Sequence, residues 1–195
     1  MTFKPQRDAD DLYRHVPLPP TNTIRVLQLL PHPDKDAPVD CRLTTLSFGS
    51  SEGIRSYEAL SYSWGSTVDP KPITVNGHWQ ILIGWNLHTA LMQLRDASIG
   101  RKLWIDAICI NQAGHAEALE ERSRQVQSIA KAYAQATQVL VWLGDAADNS
   151  DRALDDIQSA AAVAESGTSP SPPVVDEESI LKLHGRSWFG QRPTD

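Results

Sequence analysis

The ten residues Leu103-Trp-Ile-Asp-Ala-Ile-Cys-Ile-Asn-Gln112 restrict the fold more than any other stretch of this chain. Leu103, Trp104, Ile105, Ile108 and Ile110 form a short apolar run rich in β-branched and aromatic side chains, which reads as a strand covered on both faces of a sheet. Asp106 lies inside that run, and Asn111 and Gln112 close it. A carboxylate within a buried strand is costly unless it has a partner. The C-terminal edge of a parallel sheet is where α/β proteins place their sites, so the polar end of this stretch is the first place to look for function.

The residues downstream of Gln112 support an α/β reading. Glu117 to Gln135 has helical periodicity with Val126, Ile129, Ala130 and Tyr133 on one stripe, and Val139-Leu-Val-Trp-Leu-Gly144 is a second apolar strand with a glycine exit. Strand, helix and strand make a βαβ unit, from which the two strands are expected to be parallel and adjacent. That arrangement brings Asn111-Gln112 and Gly144-Asp145 to one rim. Asn149 or Ser150 is placed to cap a third helix with Leu154, Ile157, Ala161 and Ala164 on its apolar side.

Upstream, residues 1–22 are polar and proline-bearing and read as a surface or disordered arm. Ile24 to Leu30 and Cys41 to Phe48 are β-prone runs separated by the proline-rich Pro31–Pro38, an antiparallel pair in its simplest form. Tyr57-Glu-Ala-Leu-Ser-Tyr-Ser-Trp-Gly65 reads as a strand entering a glycine turn. Between Pro72 and Ile83, Asn76-Gly77 separates two β-prone segments and matches a type I′ hairpin. Leu87, Ala90, Leu91 and Leu94 then recur at helical spacing, with Asn86 positioned to cap the first turn.

Residues 23–164 therefore form the α/β domain, 165–178 a linker carrying Gly167-Thr-Ser-Pro-Ser-Pro-Pro173, and 179–195 a C-terminal segment expected to pack back on the domain. A net charge of −6 gives no general attraction to nucleic acid or anionic lipid. Cys41 and Cys109 are too far apart in sequence to suggest a scaffold and read as two buried thiols, no zinc spacing is present, and His78, His88 and His115 take no role. Neither a signal segment nor a membrane span is visible, which points to the cytoplasm.

Five blocks, taken in order, resemble the fungal heterokaryon incompatibility (HET) domain: Tyr57 to Gly65, Asn86-Leu with Ala90-Leu91, Leu103 to Gln112, Glu121-Arg with Gln125-Val126, and Val141-Trp-Leu-Gly144. The resemblance covers about residues 24–190. It implies a module of non-self recognition that triggers cell death through domain assembly, with a second copy or an incompatibility receptor as partner. The family is also similar, remotely, to TIR domains, which implies a TIR/flavodoxin-like core with parallel βαβ strands, extended here by the antiparallel strands and the hairpin. In some TIR relatives it further implies cleavage of NAD at the nicotinamide-ribose bond.

On that second reading NAD is a substrate, Tyr62, Trp64, Gly65, Asp106, Asn111 and Gln112 bind it, and Glu121 or Glu117 supports the positive charge developing on the ribose. Each residue also has a plainer role. Asp106 can be a pin tied to backbone N–H groups and an arginine, Asn111 and Gln112 can finish a strand, Tyr62 and Trp64 can be core aromatics, and Glu121 can be a helix carboxylate paired with a base. Two departures from the family pattern matter: Gly114 stands where an acidic residue is usual, and Arg186-Ser-Trp-Phe189 runs into Gly190–Asp195 instead of a second tryptophan and a Gln-Glu pair. If that glutamate is active elsewhere in the family, this chain is a decoy, the third reading.

Overall fold

In the computed structural model of the protein, residues 12–49, 56–66, 68–166 and 175–190 are described. The chain divides into two compact units, Met1–Trp142 and Leu143–Asp195. In chain order the first holds β1 (Thr23–Leu29), β2 (Asp40–Ser47), β3 (Glu58–Tyr62), β4 (Lys71–Val75), β5 (Trp79–Ile83), α1 (Trp85–Leu94), β6 (Arg101–Trp104), α2 (Asp106–Cys109), α3 (Ala116–Gln127), α4 (Ile129–Gln135) and β7 (Val139–Trp142). The second holds α5 (Ser150–Ser166) and α6 (Glu177–His184).

One mixed sheet of seven strands runs in the order β5-β4-β2-β1-β6-β3-β7. β6, β3 and β7 are mutually parallel and form the α/β part. β1 joins them antiparallel to β6, and β2 is antiparallel to β1. The mixed α/β class expected from the sequence is the one found, and so are the β1–β2 pair and the hairpin of β4 and β5. Asn76 and Gly77 both have positive φ, at 54° and 85°, as the primed turn requires. The register pairs Val75 with Trp79, so the loop contains three residues, Asn76 to His78, one more than the two-residue turn expected.

Three expectations are corrected. The strand beginning at Leu103 ends at Trp104, and Asp106–Cys109 is a helical turn. Asp106 explains the break: its Oδ1 accepts from the Ala107 N–H at 2.7 Å, a helix-starting role for which carboxylates are well suited, while Cys109 Sγ accepts from the Ile105 N–H at 3.4 Å. Second, β6 and β7 are parallel but not adjacent, because β3 lies between them. β3 carries Ala59, Leu60 and Tyr62 buried, and so fills a position with a neighbour on each side. Third, β7 is an edge strand, with Val139 and Val141 each nearly half exposed.

The helix after α2 is interrupted at Ser128, whose hydroxyl bonds back to the Arg124 carbonyl at 3.2 Å, a contact that bends helices. The inner stripe differs from the expected one. In α3 it is Ala118, Glu121 and Gln125 that are buried, while Val126 and Ala130 face out. Tyr133 and Ile129 do pack on the core, where Tyr133 meets Trp104 edge to face at 5.3 Å between centroids. Both thiols are free and buried. Burial pushes each up to about 12, so neither is a nucleophile near neutral pH.

The second unit is built by α5 and α6. Asp176 caps α6 by accepting from the Ser179 N–H at 3.3 Å and ties it to α5 through its own N–H, which donates to Asp156. Arg186 donates to the carbonyls of Leu143 and Ala147 at 3.1 and 3.0 Å. Phe189 stacks on His184 and meets Trp188 edge-on. Of the stripe expected on α5, Leu154 and Ile157 are more than 40% exposed, and the residues of that helix that are buried are Ser150 and Ala153. The expected linker falls mostly on residues 167–174, and residues 191–195 close the chain; both segments lie outside the described residues, as does 1–11.

Candidate functional site

Because β3 and β6 are parallel, their C-terminal ends leave the sheet at the same edge. β3 delivers Tyr62, Trp64 and Gly65 there, and β6 delivers Asp106, followed by Asn111 and Gln112. The hairpin strand β5 and the start of α1 form the opposite wall. Between them is a cavity of about 640 Å³, a size typical of small-molecule sites. Tyr62, Trp64, Asn111 and Gln112 line it together with Gln80 to Gly84, Leu87, Ala107, Ala113 and His115.

The remaining wall was not visible in the sequence. Leu12 to His15, from the segment read as a loose arm, complete the cavity. Leu12 bridges to Gln80, the Tyr13 N–H donates to the Gln80 carbonyl at 2.8 Å, and His15 Nε2 lies 2.8 Å from the Ile108 carbonyl. Burial, the largest influence, holds the His15 imidazole below its ordinary value, which favours the neutral ring.

Trp64 is exposed, and its indole Nε1 donates to Asp106 Oδ2 at 3.1 Å. Asp106 is thus held by an indole and a backbone N–H, with no arginine in its set of bonds among the described residues. Burial raises its carboxyl above the usual carboxylate range, and hydrogen bonds from the Trp64 indole and from the backbone N–H groups of Ala107 and Asp106 oppose that shift without cancelling it. Asp106 itself does not line the cavity; it stands behind the wall and orients the ring. Burial also raises the Tyr62 hydroxyl, which stays protonated. Asn111 is buried, with Oδ1 accepting from the Ala113 N–H at 3.0 Å and its carbonyl accepting from Arg122. Gln112 is exposed and reaches the Asp106 carbonyl at 3.4 Å.

Gly65 turns the chain after β3 with φ of 67°, a conformation that side-chain-bearing residues rarely adopt. It lies beside Asn86, whose amide does not cap α1 as expected but makes two other bonds. Asn86 Nδ2 donates to the Ser63 carbonyl at 2.6 Å and its Oδ1 accepts from the Trp142 indole at 2.9 Å, joining the β3 exit, α1 and β7. The cap position of α1 is Gly84.

Neither glutamate lines the cavity. Glu117 is exposed beside His115. Glu121 is buried, with both oxygens on Arg25 at 2.7 and 3.0 Å and one also accepting from the Leu18 N–H at 3.0 Å. Arg25 further donates to the carbonyls of Cys109 and Val16, and Gln125 donates to that of Thr23. Burial works against the charge on Glu121, but the bonds from Arg25 and Leu18 outweigh it and leave the carboxyl below its ordinary value. This network pins the arm, β1, α2 and α3 to one another. Arg25, a lone charge between Ile24 and Val26, was the sequence signal for it.

An α/β domain with this mixed sheet, and with its aromatic and amide residues gathered at the parallel edge, is matched over residues 57–191 by the family model described as heterokaryon incompatibility protein (HET), and the chain belongs to that family. Among curated proteins it is similar to heterokaryon incompatibility protein 6, OR allele, of Neurospora crassa, at 34% identity over 148 residues, 70% of this chain and 21% of the relative. The chain thus spans about a fifth of that relative's length. No solved structure matches. Among the described residues no helix is long and apolar enough to cross a membrane, and no group of acidic, histidine and cysteine side chains could hold a metal ion.

Proposed function

We propose that this chain is a fungal incompatibility module, a HET domain that starts a cell-death response on contact with non-self and does so by assembling with a second copy or with a sensing partner. The observation that carries the reading is the family match, which runs from β3 through the second unit and so covers both the sheet edge and the terminal helices. The Neurospora relative, named for heterokaryon incompatibility, supports it.

The test is inducible expression of the whole chain in a filamentous fungus. Growth arrest and uptake of a vital dye after induction, together with concentration-dependent association of the purified protein, are the expected results. Normal growth at a verified protein level, with a monomer at every concentration reached, overturns the reading.

A further inference from the structure

The cavity at the parallel edge has a chemical bias that the incompatibility reading does not use. Its floor and hairpin wall are apolar, with Ile81, Ile83 and Leu87, and Tyr62 and Trp64 stand on the β3 side, so it offers a slot for a flat ring. No aspartate or glutamate is among the described residues that line it, although the chain as a whole carries a net charge of −6. Arg14 does line it, and among the described residues that guanidinium has neither a hydrogen bond nor an ion pair. An arginine is always charged, and this one is open to an anion.

A second observation is independent of the first. Asn111 is only 7% exposed and lines the same cavity. Its Oδ1 is used by Ala113, yet its Nδ2 has no partner among the described residues. That Nδ2 is not cut off from solvent, so it opens on the cavity and can donate to an acceptor of a bound molecule.

We infer that this cavity binds a flat aromatic small molecule bearing an anionic group, with the ring against Trp64 and Tyr62, a ring or carbonyl acceptor on Asn111, and the anion on Arg14. The shared chemistry is a planar ring plus a phosphate or a carboxylate. The inference is independent of the cell-death reading, because ligand binding and toxicity are measured separately.

Calorimetric titration of the whole chain with adenosine monophosphate, with naphthoate and with neutral naphthamide tests it. Saturable binding of either anion, at least about tenfold tighter than the neutral amide, is expected. Binding of adenosine monophosphate alone assigns a nitrogen heterocycle with a phosphate, and binding of naphthoate alone a carbocyclic ring with a carboxylate. Arg14→Gln removes the preference for the anion, and Trp64→Ala weakens every probe; both side chains are exposed, and unchanged thermal melting shows the variants are folded. Absence of binding by both anions, equal affinity for the neutral amide, or an Arg14→Gln protein that keeps its preference would overturn the inference.

Discussion

Glu121 and Arg25 meet through two parallel hydrogen bonds, 2.7 and 3.0 Å long, across 96 residues of chain, with the arginine side chain 4% and the glutamate side chain 5% exposed. Removing one partner of such a pair leaves an uncompensated buried charge, whereas replacing both by apolar groups is often neutral. Glu121→Leu should therefore destabilise the protein by about 3–5 kcal/mol. The Arg25→Met/Glu121→Leu double variant should recover most of that loss. Urea denaturation of the three proteins checks it, and a double variant as unstable as the single one would show that the bonds from Arg25 to Val16 and Cys109 dominate.

The same pair sets a pH dependence. The Glu121 carboxyl lies below its ordinary value in the folded protein, since the bonds from Arg25 and Leu18 outweigh burial. Between the folded and unfolded values the unfolded chain binds more protons, so stability rises with pH. The contribution is complete above the unfolded value and is lost as pH falls through the folded one. Between about pH 5 and pH 3 the unfolding free energy of the wild type should fall more steeply than that of the double variant, in which the site no longer titrates.

Much of this arrangement is legible along the chain, and what is not legible is mainly long-range. Asn76-Gly77 announces its hairpin because positive φ at two successive positions demands those residue types. Parallel strands share an exit edge, which puts Asn111 and Gln112 at a rim, but Tyr62 and Trp64 join them only through the family resemblance, because no local pattern shows that β3 lies between β6 and β7. The turn at Asp106 was hidden because a short apolar run fits a strand and a buried helical turn equally well. The arm as a cavity wall depends on contacts to Gln80 and to Ile108, the latter 93 residues from His15, which no local pattern encodes. Arg95 is similar: nothing nearby indicates that its guanidinium holds the carbonyls of Asp34, Lys35, Ala37 and Pro38 and shapes the proline-rich loop.

Asn86 offers a test of how the site edge is assembled. Its amide bonds both the Ser63 carbonyl and the Trp142 indole, so Asn86→Ala leaves a carbonyl and an indole N–H without partners. A loss of about 2–4 kcal/mol is expected, the sum of two part-buried groups each unsatisfied at about 1–2 kcal/mol. Asn86→Asp keeps the acceptor for Trp142 but sets a carboxylate against the Ser63 carbonyl, and should be no better than alanine near neutral pH. Thermal melting distinguishes these outcomes.

Asp106 and Trp64 form a reporter pair. Burial raises the Asp106 carboxyl, so ionisation is harder in the folded protein than in the unfolded chain, and stability falls as pH rises toward the folded value, opposite in sign to Glu121. Because Oδ2 accepts from the indole, ionisation should change the emission of Trp64 in a step above the ordinary aspartate value of 3.8. The step should vanish in Asp106→Asn and in Trp64→Phe. A step at or below 3.8 would contradict the dominance of burial.

Cys41 and Cys109 allow the strength of the Arg25–Glu121 tie to be read kinetically. Both thiols are buried at 1% exposure or less, and both are pushed up to about 12, so in the native state they are neither accessible nor ionised at neutral pH. Labelling by a disulfide reagent must then wait for opening, and when reclosing is fast its rate follows the population of the open form. Cys109 lies on α2, whose final carbonyl is held by Arg25, and Cys41 lies on β2, to which the Arg25 guanidinium makes no hydrogen bond. If the tie stabilises the whole unit, Glu121→Leu should accelerate both thiols by the same factor, at least about a hundredfold for a loss of about 3 kcal/mol. If it only fastens α2 and the arm, Cys109 should accelerate alone, and mass spectrometry of the labelled peptides separates the two cases.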